Sequence, residues 1–294
     1  MSAIAPLAMS GLGLAGIYFL LASGLSLIYG LMRVLNLAHG AVFCVGAYLG
    51  WGVMRWDAVG NLWVRLVVAA VISTLGCALL GVIIERGLLA RLYGRPMAQM
   101  LVTLGLGFAI TAAITGWYSP NSQKMTLPNW LLGATDMLGG RVANSRILIV
   151  IVAVVIFAVT LLFVRRSTHG LIIRAGVENR QMVTALGIDV HRSFTLLFAI
   201  GSGLAGVGGL LAGVFFGSVT PSIGTSQLIF AFIVVIIGGL GSLEGTAISA
   251  VVVALLQQFV NYYGPAGAGD LVAAALLVLV LLARPRGLLG KVEA

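Results

Sequence analysis

The feature that most constrains this chain is a succession of apolar runs, at about 7 to 29, 34 to 54, 62 to 84, 98 to 118, 146 to 164, 193 to 217, 226 to 240, 244 to 262 and 270 to 283. A helix needs about 20 apolar residues to cross the hydrocarbon core of a bilayer. Within that core every backbone group must find its partner inside the protein, which makes a helix bundle the natural fold for runs of this kind. The runs at 226 to 240 and 270 to 283 are short, and each is expected to be tilted, broken or re-entrant. Of the 294 residues, 60% are hydrophobic and only 9% charged, far from the quarter charged that is usual in soluble domains. The 40 glycines suit helices whose backbones approach closely in lipid. The expectation is a single transmembrane domain over 1–294, an all-α polytopic bundle of eight to nine spans with broken or re-entrant segments.

Basic residues give the runs a direction. Arg33, then Arg86, Arg91 and Arg95, then Arg165, Arg166, Arg174, Arg180 and Arg192, and finally Arg284, Arg286 and Lys291 fall in alternate connections, which belong on the cytoplasmic side. The other connections hold Arg55, Arg65, Lys124, Arg141 and Arg146, partly offset by Asp57, Asp136 and Asp270. If every run crosses, the N-terminus lies outside and the C-terminus inside. The net charge of +9 then faces anionic headgroups, and nucleic acid is not an expected partner. The first thirty residues carry no Lys or Arg, so the basic start of a cleavable signal peptide is missing and the first run is expected to remain as a membrane helix. The external connection 119 to 145 is flanked or occupied by Trp117, Tyr118 and Trp130, which suit a membrane interface or a partner docking from outside.

Two runs are interrupted by polar and small residues. The first interruption holds Asn36, His39 and Gly40; the second holds Gly238, Gly239, Gly241, Ser242, Glu244 and Gly245. Unmet backbone groups in lipid cost several kcal/mol each, so such breaks line a cavity or pack against neighbours. Paired discontinuous segments point to a substrate path, which makes Asn36, His39, Gly40, Gly238, Gly239, Gly241 and Ser242 its candidates. Asn36 and His39 also suit helix capping near the interface. Glu244 reads as a turn residue held by helix N-terminal amides rather than as a proton carrier. Cys44 and Cys77 lie inside apolar runs and form neither a disulfide framework nor a metal-ligand spacing. Gly201, Gly203 and Gly206 match the dinucleotide pattern GxGxxG, but with no preceding strand they are better explained by close helix packing. "GGLGSLEGT" lacks the lysine of a phosphate loop, and no reactive constellation exists, so neither a nucleotide site nor a catalytic residue is assigned.

One stretch, "RAGVENRQMVTALGIDV" at 174 to 190, is polar enough to stand outside the bilayer. It occupies the internal loop 165–192, and a helix from about Glu178 to Leu186 would end at Gly187 in a left-handed cap. Met182, Val183, Ala185 and Leu186 gather on one side of that helix, opposite Asn179 and Arg180. Such a helix can lie on lipid or fit a partner's groove. Its small apolar face favours the groove.

These segments carry a resemblance over nearly the whole length. "GLMRVLNLAHGAVFCVGAY", "ERGLLARLYGRPMAQMLVTLGL", "RAGVENRQMVTALGIDVHRSFTLLFAIGSGLAGVGGLL", "VTPSIGTSQLIFAFIVVIIGGLGSLEGTAISA" and "LLARPRGLLG" follow one another in the order seen in permease subunits of branched-chain amino acid ATP-binding cassette importers. The chain resembles that family, although Ala41 and Val42 stand where a more polar residue is expected. The resemblance implies a non-catalytic subunit of the bacterial inner membrane, with a second related permease in a heterodimer, two cytoplasmic ATPases that hold ATP and Mg, and a periplasmic binding protein. It also implies that Glu178, Arg180, Met182, Val183, Leu186 and Gly187 form the coupling helix, with 85 to 97 as a second contact. Relatives that import urea, short amides or aromatic acids carry similar patterns. A stand-alone secondary transporter or channel would need a buried coupling-ion site, for which the sequence offers no carboxylate cluster.

Overall fold

A computed structural model describes residues 4–32, 35–57, 60–137, 140–178, 182–183 and 190–290. Helices run over α1 (Ile4–Met32), α2 (His39–Met54), α3 (Leu62–Gly87), α4 (Pro96–Tyr118), α5 (Asn129–Leu132), α6 (Asn144–Arg166), α7 (Thr168–Glu178), α8 (Val190–Phe216), α9 (Ile223–Gly238), α10 (Leu243–Tyr263) and α11 (Ala268–Ala283). A short 3-10 turn, Leu89–Leu92, links α3 to α4. Among the described residues, six helices, α1, α3, α4, α6, α8 and α10, are long and apolar enough to cross a membrane. The other apolar helices, α2, α9 and α11, have 16 residues each. At about 1.5 Å per residue they reach only about 24 Å.

Local signals set several of these boundaries. The Asn61 side chain accepts a hydrogen bond from Trp63 N at 2.9 Å and starts α3. Pro96 stands in the first turn of α4, where its missing N–H costs nothing. The second run begins as a helix only at His39, five residues later than its apolar character suggested. The connection 119 to 145 carries strands: β1 (Gln123–Lys124) pairs with β4 (Ser218–Val219), which follows α8, and β2 (Ala134–Met137) forms a hairpin with β3 (Gly140–Ala143).

Helix α1 is the axis of the bundle. It is almost entirely buried, with α6, α8, α9 and α10 packed around it. Two of its glycines allow that approach: a Cβ on Gly16 would lie 2.8 Å from the Ala153 Cβ, and one on Gly24 would lie 2.5 Å from the Gly201 carbonyl oxygen. The dinucleotide-like glycines do serve packing. Gly201 faces α1, while Gly203 and Gly206 face Thr74 and Cys77 of α3. Around the outside, Val64, Val67, Val71, Leu75, Leu79 and Ile83 form an exposed stripe along α3 at helical spacing, the arrangement lipid requires and water opposes.

The contacts sort the helix ends into two groups. Glu85 meets Thr195, Arg165 meets Glu244, and Leu288 and Leu289 meet the end of α9, so connections rich in basic residues share one end. At the other end Trp51 Nε1 donates to the Lys124 carbonyl at 3.1 Å, and the Trp63 and Trp130 rings lie 6.0 Å apart.

Candidate functional site

The first interruption is a compact turn that leads into α2. The Asn36 carboxamide oxygen accepts from Ala38 N at 3.1 Å, the Asn36 carbonyl accepts from His39 N at 3.3 Å, and Thr103 Oγ1 accepts from Leu37 N at 3.2 Å. Asn36, His39 and Gly40 are all buried. The His39 ring is wedged against Gly24, on the side where Gly24 faces Gly201. The Leu21 carbonyl is its near polar neighbour, although neither ring nitrogen achieves good hydrogen-bond geometry among the described residues.

The structure gives this turn a counterpart that sequence reasoning missed. Gly40 packs on Gly224, in the first turn of α9, and Cys44 Sγ points to the Pro221 carbonyl at 3.4 Å. Two short helices thus begin inside the bundle, with their N-termini against each other. The segment before α9 is "GSVTPS", in which Gly217 takes φ 70° and Pro221 stands between the apolar runs 193 to 217 and 226 to 240. That combination of Gly and Pro is the available signal, a quiet one because it falls in the connection between two separate helices. On the exposed side of α9, Ser222, Thr225, Ser226 and Ile229 follow at helical spacing.

The second interruption lies elsewhere, at the end where the basic connections gather. It is a tight hairpin: Gly238 and Gly245 are in backbone contact, Gly239 and Gly241 take φ of 98° and 84°, and Ser242 Oγ accepts from Gly245 N at 3.1 Å to cap α10. These positive φ values are open to glycine at little cost. The structure therefore brings Gly238, Gly239, Gly241 and Ser242 together with one another, and not with Asn36, His39 and Gly40.

The segment after α11 completes the hairpin. Leu288 N donates to the Ile237 carbonyl at 2.8 Å, and Leu289 N donates to the Gly238 carbonyl at 3.1 Å. Carbonyls at a helix C-terminus lack intrahelical donors, and here "RPRGLLG" supplies them. Gly287, at φ 78°, allows the approach to Gly239. Glu244, in the first turn of α10, forms an ion pair with Arg165 at the end of α6.

The loop 165–192 starts differently from expectation. Helix α7, Thr168–Glu178, occupies the stretch before the expected helix. Ser167 starts it, accepting from Gly170 N at 2.8 Å through its hydroxyl and from Leu171 N at 3.0 Å through its carbonyl. "RSTHG" carried that capping signal. Glu178 is the last residue of α7. Met182 and Val183 are helical; Met182 is exposed and Val183 buried, so they do not share a face. Arg180, Leu186 and Gly187 lie outside the described residues, as does Arg33.

Interrupted helices inside an apolar, many-helix bundle define the class of protein to which a membrane transport path belongs. Residues 7–281 match the family model described as the branched-chain amino acid transport system permease component, and the chain belongs to that family. It is 30% identical over 297 residues to the high-affinity branched-chain amino acid transport system permease protein BraD of Pseudomonas aeruginosa, an alignment that covers 97% of this chain and 95% of the relative. The permease protein LivH of Escherichia coli K12 is 28% identical over 296 residues, covering 97% of this chain and 94% of the relative. LivM of the same organism is 27% identical over 297 residues, covering 93% and 68%. No solved structure matches the chain.

Proposed function

We propose that this chain forms one half of the translocation path of an ATP-driven importer in the bacterial inner membrane, with branched-chain or related amino acids as substrates. The observation that carries the proposal is the meeting of α2 and α9 at Gly40 and Gly224 beside the exposed Ser222, Thr225 and Ser226. An interrupted helix presents partial positive charge at its N-terminus, which suits the carboxylate of an amino acid. Ile229, a turn or so further along, offers an aliphatic surface to an apolar side chain. The family and the names of the relatives support the substrate class.

The partners follow from the same reading. Similarity to two differently named permease proteins of one organism supports a second, related permease across the path. ATP and Mg belong to two cytoplasmic ATPase subunits, and a periplasmic binding protein selects the substrate. The ATPases grip the 165–192 loop, where Glu178, Arg180, Met182, Leu186 and Gly187 are the coupling contacts and Val183, buried against the bundle, supports them from within. Gly238, Gly239, Gly241 and Ser242 pack as a hairpin apart from the meeting of α2 and α9, so their part in the path is to hold α9 and α10 together. This chain contributes no catalytic group.

The test is to co-purify the chain with its candidate partners and measure ATP hydrolysis. Hydrolysis should rise with the binding protein plus leucine, isoleucine or valine. A rise with urea, a short amide or an aromatic acid instead would move the substrate class, and ATPase activity that ignores every substrate would overturn the reading.

A further inference from the structure

Glu85 is a buried acid in a protein with few of them. It lies in the last turn of α3 and is 1% exposed. Removing a carboxyl group from water is costly unless hydrogen bonds replace the solvent. Here the replacements come from two directions: Glu85 accepts from the Tyr93 hydroxyl, beyond the 3-10 turn, and from Thr195 Oγ1, near the start of α8, at 2.7 Å. Neighbouring rings close the same region, with Tyr93 edge-on to the fully buried Phe194 at 5.2 Å between centroids.

Beyond this cluster, α3 and α8 stay in close contact along their length. A Cβ on Gly81 would meet the Phe198 carbonyl at 2.8 Å, one on Gly203 would meet the Thr74 carbonyl at 3.3 Å, and one on Gly206 would lie 2.7 Å from the Cys77 Cβ. Close-packed helices without slack move together rather than slide. Thr195 stands three residues after Arg192, at the far end of the 165–192 loop, and Tyr93 lies within the 85–97 connection.

We infer that Glu85 is a positioning residue that ties the two basic connections into one platform, so that displacement of the 165–192 loop also carries the 85–97 connection and α3. The inference rests on the proposed role of the loop as the surface an ATPase grips. It assigns the 85–97 connection a share of each stroke through the Thr195 hydroxyl, where direct contact with the ATPase would not need that hydroxyl.

The test uses the full complex in proteoliposomes and reads substrate imported per ATP hydrolysed. Thr195→Val removes the donor at nearly constant shape, and Thr195→Ser keeps it. The valine variant should assemble and hydrolyse ATP, while import per ATP falls about fivefold or more. The serine variant should retain the unaltered ratio. Glu85→Gln, with one acceptor oxygen in place of two, should fall between them. A valine variant with an unaltered ratio overturns the tie, as does a serine variant that loses as much as valine. Failure of both Thr195→Val and Glu85→Gln to assemble also overturns it, because a group needed only for folding transmits nothing. If the unaltered complex shows no ATP-driven import, the docking reading falls and takes this inference with it; if it imports and only the variants defy expectation, the docking reading stands.

Discussion

Gly40 and Gly224 touch backbone to backbone where α2 and α9 begin: a Cβ on Gly40 would lie 2.6 Å from the Gly224 carbonyl oxygen. Two interrupted helices can meet inside an apolar bundle only if neither carries a side chain at that point. The contact also explains why these helices are short, since each starts within the protein rather than at its surface. Replacing Gly224 by Val should therefore destabilise the protein by about 1 to 3 kcal/mol or more through overpacking. Thermal unfolding in detergent checks this, with Gly52→Ala as the control, because nothing lies within 4 Å of a Cβ on Gly52. Equal melting temperatures for the two variants would remove the contact from the explanation.

The hydroxyl face of α9 should influence substrate handling and leave assembly intact. Ser222→Ala with Ser226→Ala should raise the half-saturating concentration for import, while the yield of assembled complex stays unchanged. Losing neutral hydrogen bonds of about 0.5 to 1 kcal/mol each predicts a rise of roughly fivefold to thirtyfold for the pair. Import kinetics of the double variant give the answer.

The clasp formed by the segment after α11 should stabilise the α9 to α10 hairpin. Gly239→Ala places a side chain at φ 98° and against Gly290, so it should cost on the order of 1 to 2 kcal/mol. Removing residues 286–294 should free the Ile237 and Gly238 carbonyls and raise hydrogen exchange in the last turn of α9. Exchange at α9 that is indifferent to the deletion would show that the clasp contributes nothing.

Arg165 and Glu244 join the end of α6 to the start of α10 on a partly exposed surface. Pairs of this kind are worth about 0 to 1 kcal/mol and weaken with salt. Arg165→Glu should lower stability by that amount, and adding Glu244→Arg should restore it. A double-mutant cycle at low and high ionic strength measures the coupling.

Much of the bundle was legible in the sequence because lipid imposes long apolar runs, and those runs became α1, α3, α4, α6, α8 and α10 with boundaries shifted by a few residues. The shorter helices were harder. Hydropathy extended the second run back to residue 34, but Asn36 and Thr103 satisfy the backbone there in a turn, and α2 waits until His39. The pairing of interruptions is not legible in the sequence for a similar reason. Glycines at 238 to 245 announce a break, yet a break between two helices at a bundle end is a hairpin, whereas the quieter "VTPSIG" starts a helix inside the protein. Which turn meets Gly40 is decided by three-dimensional packing that no local window contains. In the 165–192 loop, the glycine at 187 drew attention to a helix end and away from Ser167, whose cap begins α7.

In the proposed function, this bundle is a path whose opening is driven by ATP on other subunits. Uptake of labelled leucine into proteoliposomes that carry the whole complex, with the binding protein outside and ATP enclosed or omitted, decides whether ATP drives the opening. Accumulation should require enclosed ATP and should disappear when ADP replaces it. Equal leucine uptake with and without ATP would contradict the claim and point to a channel or a stand-alone transporter.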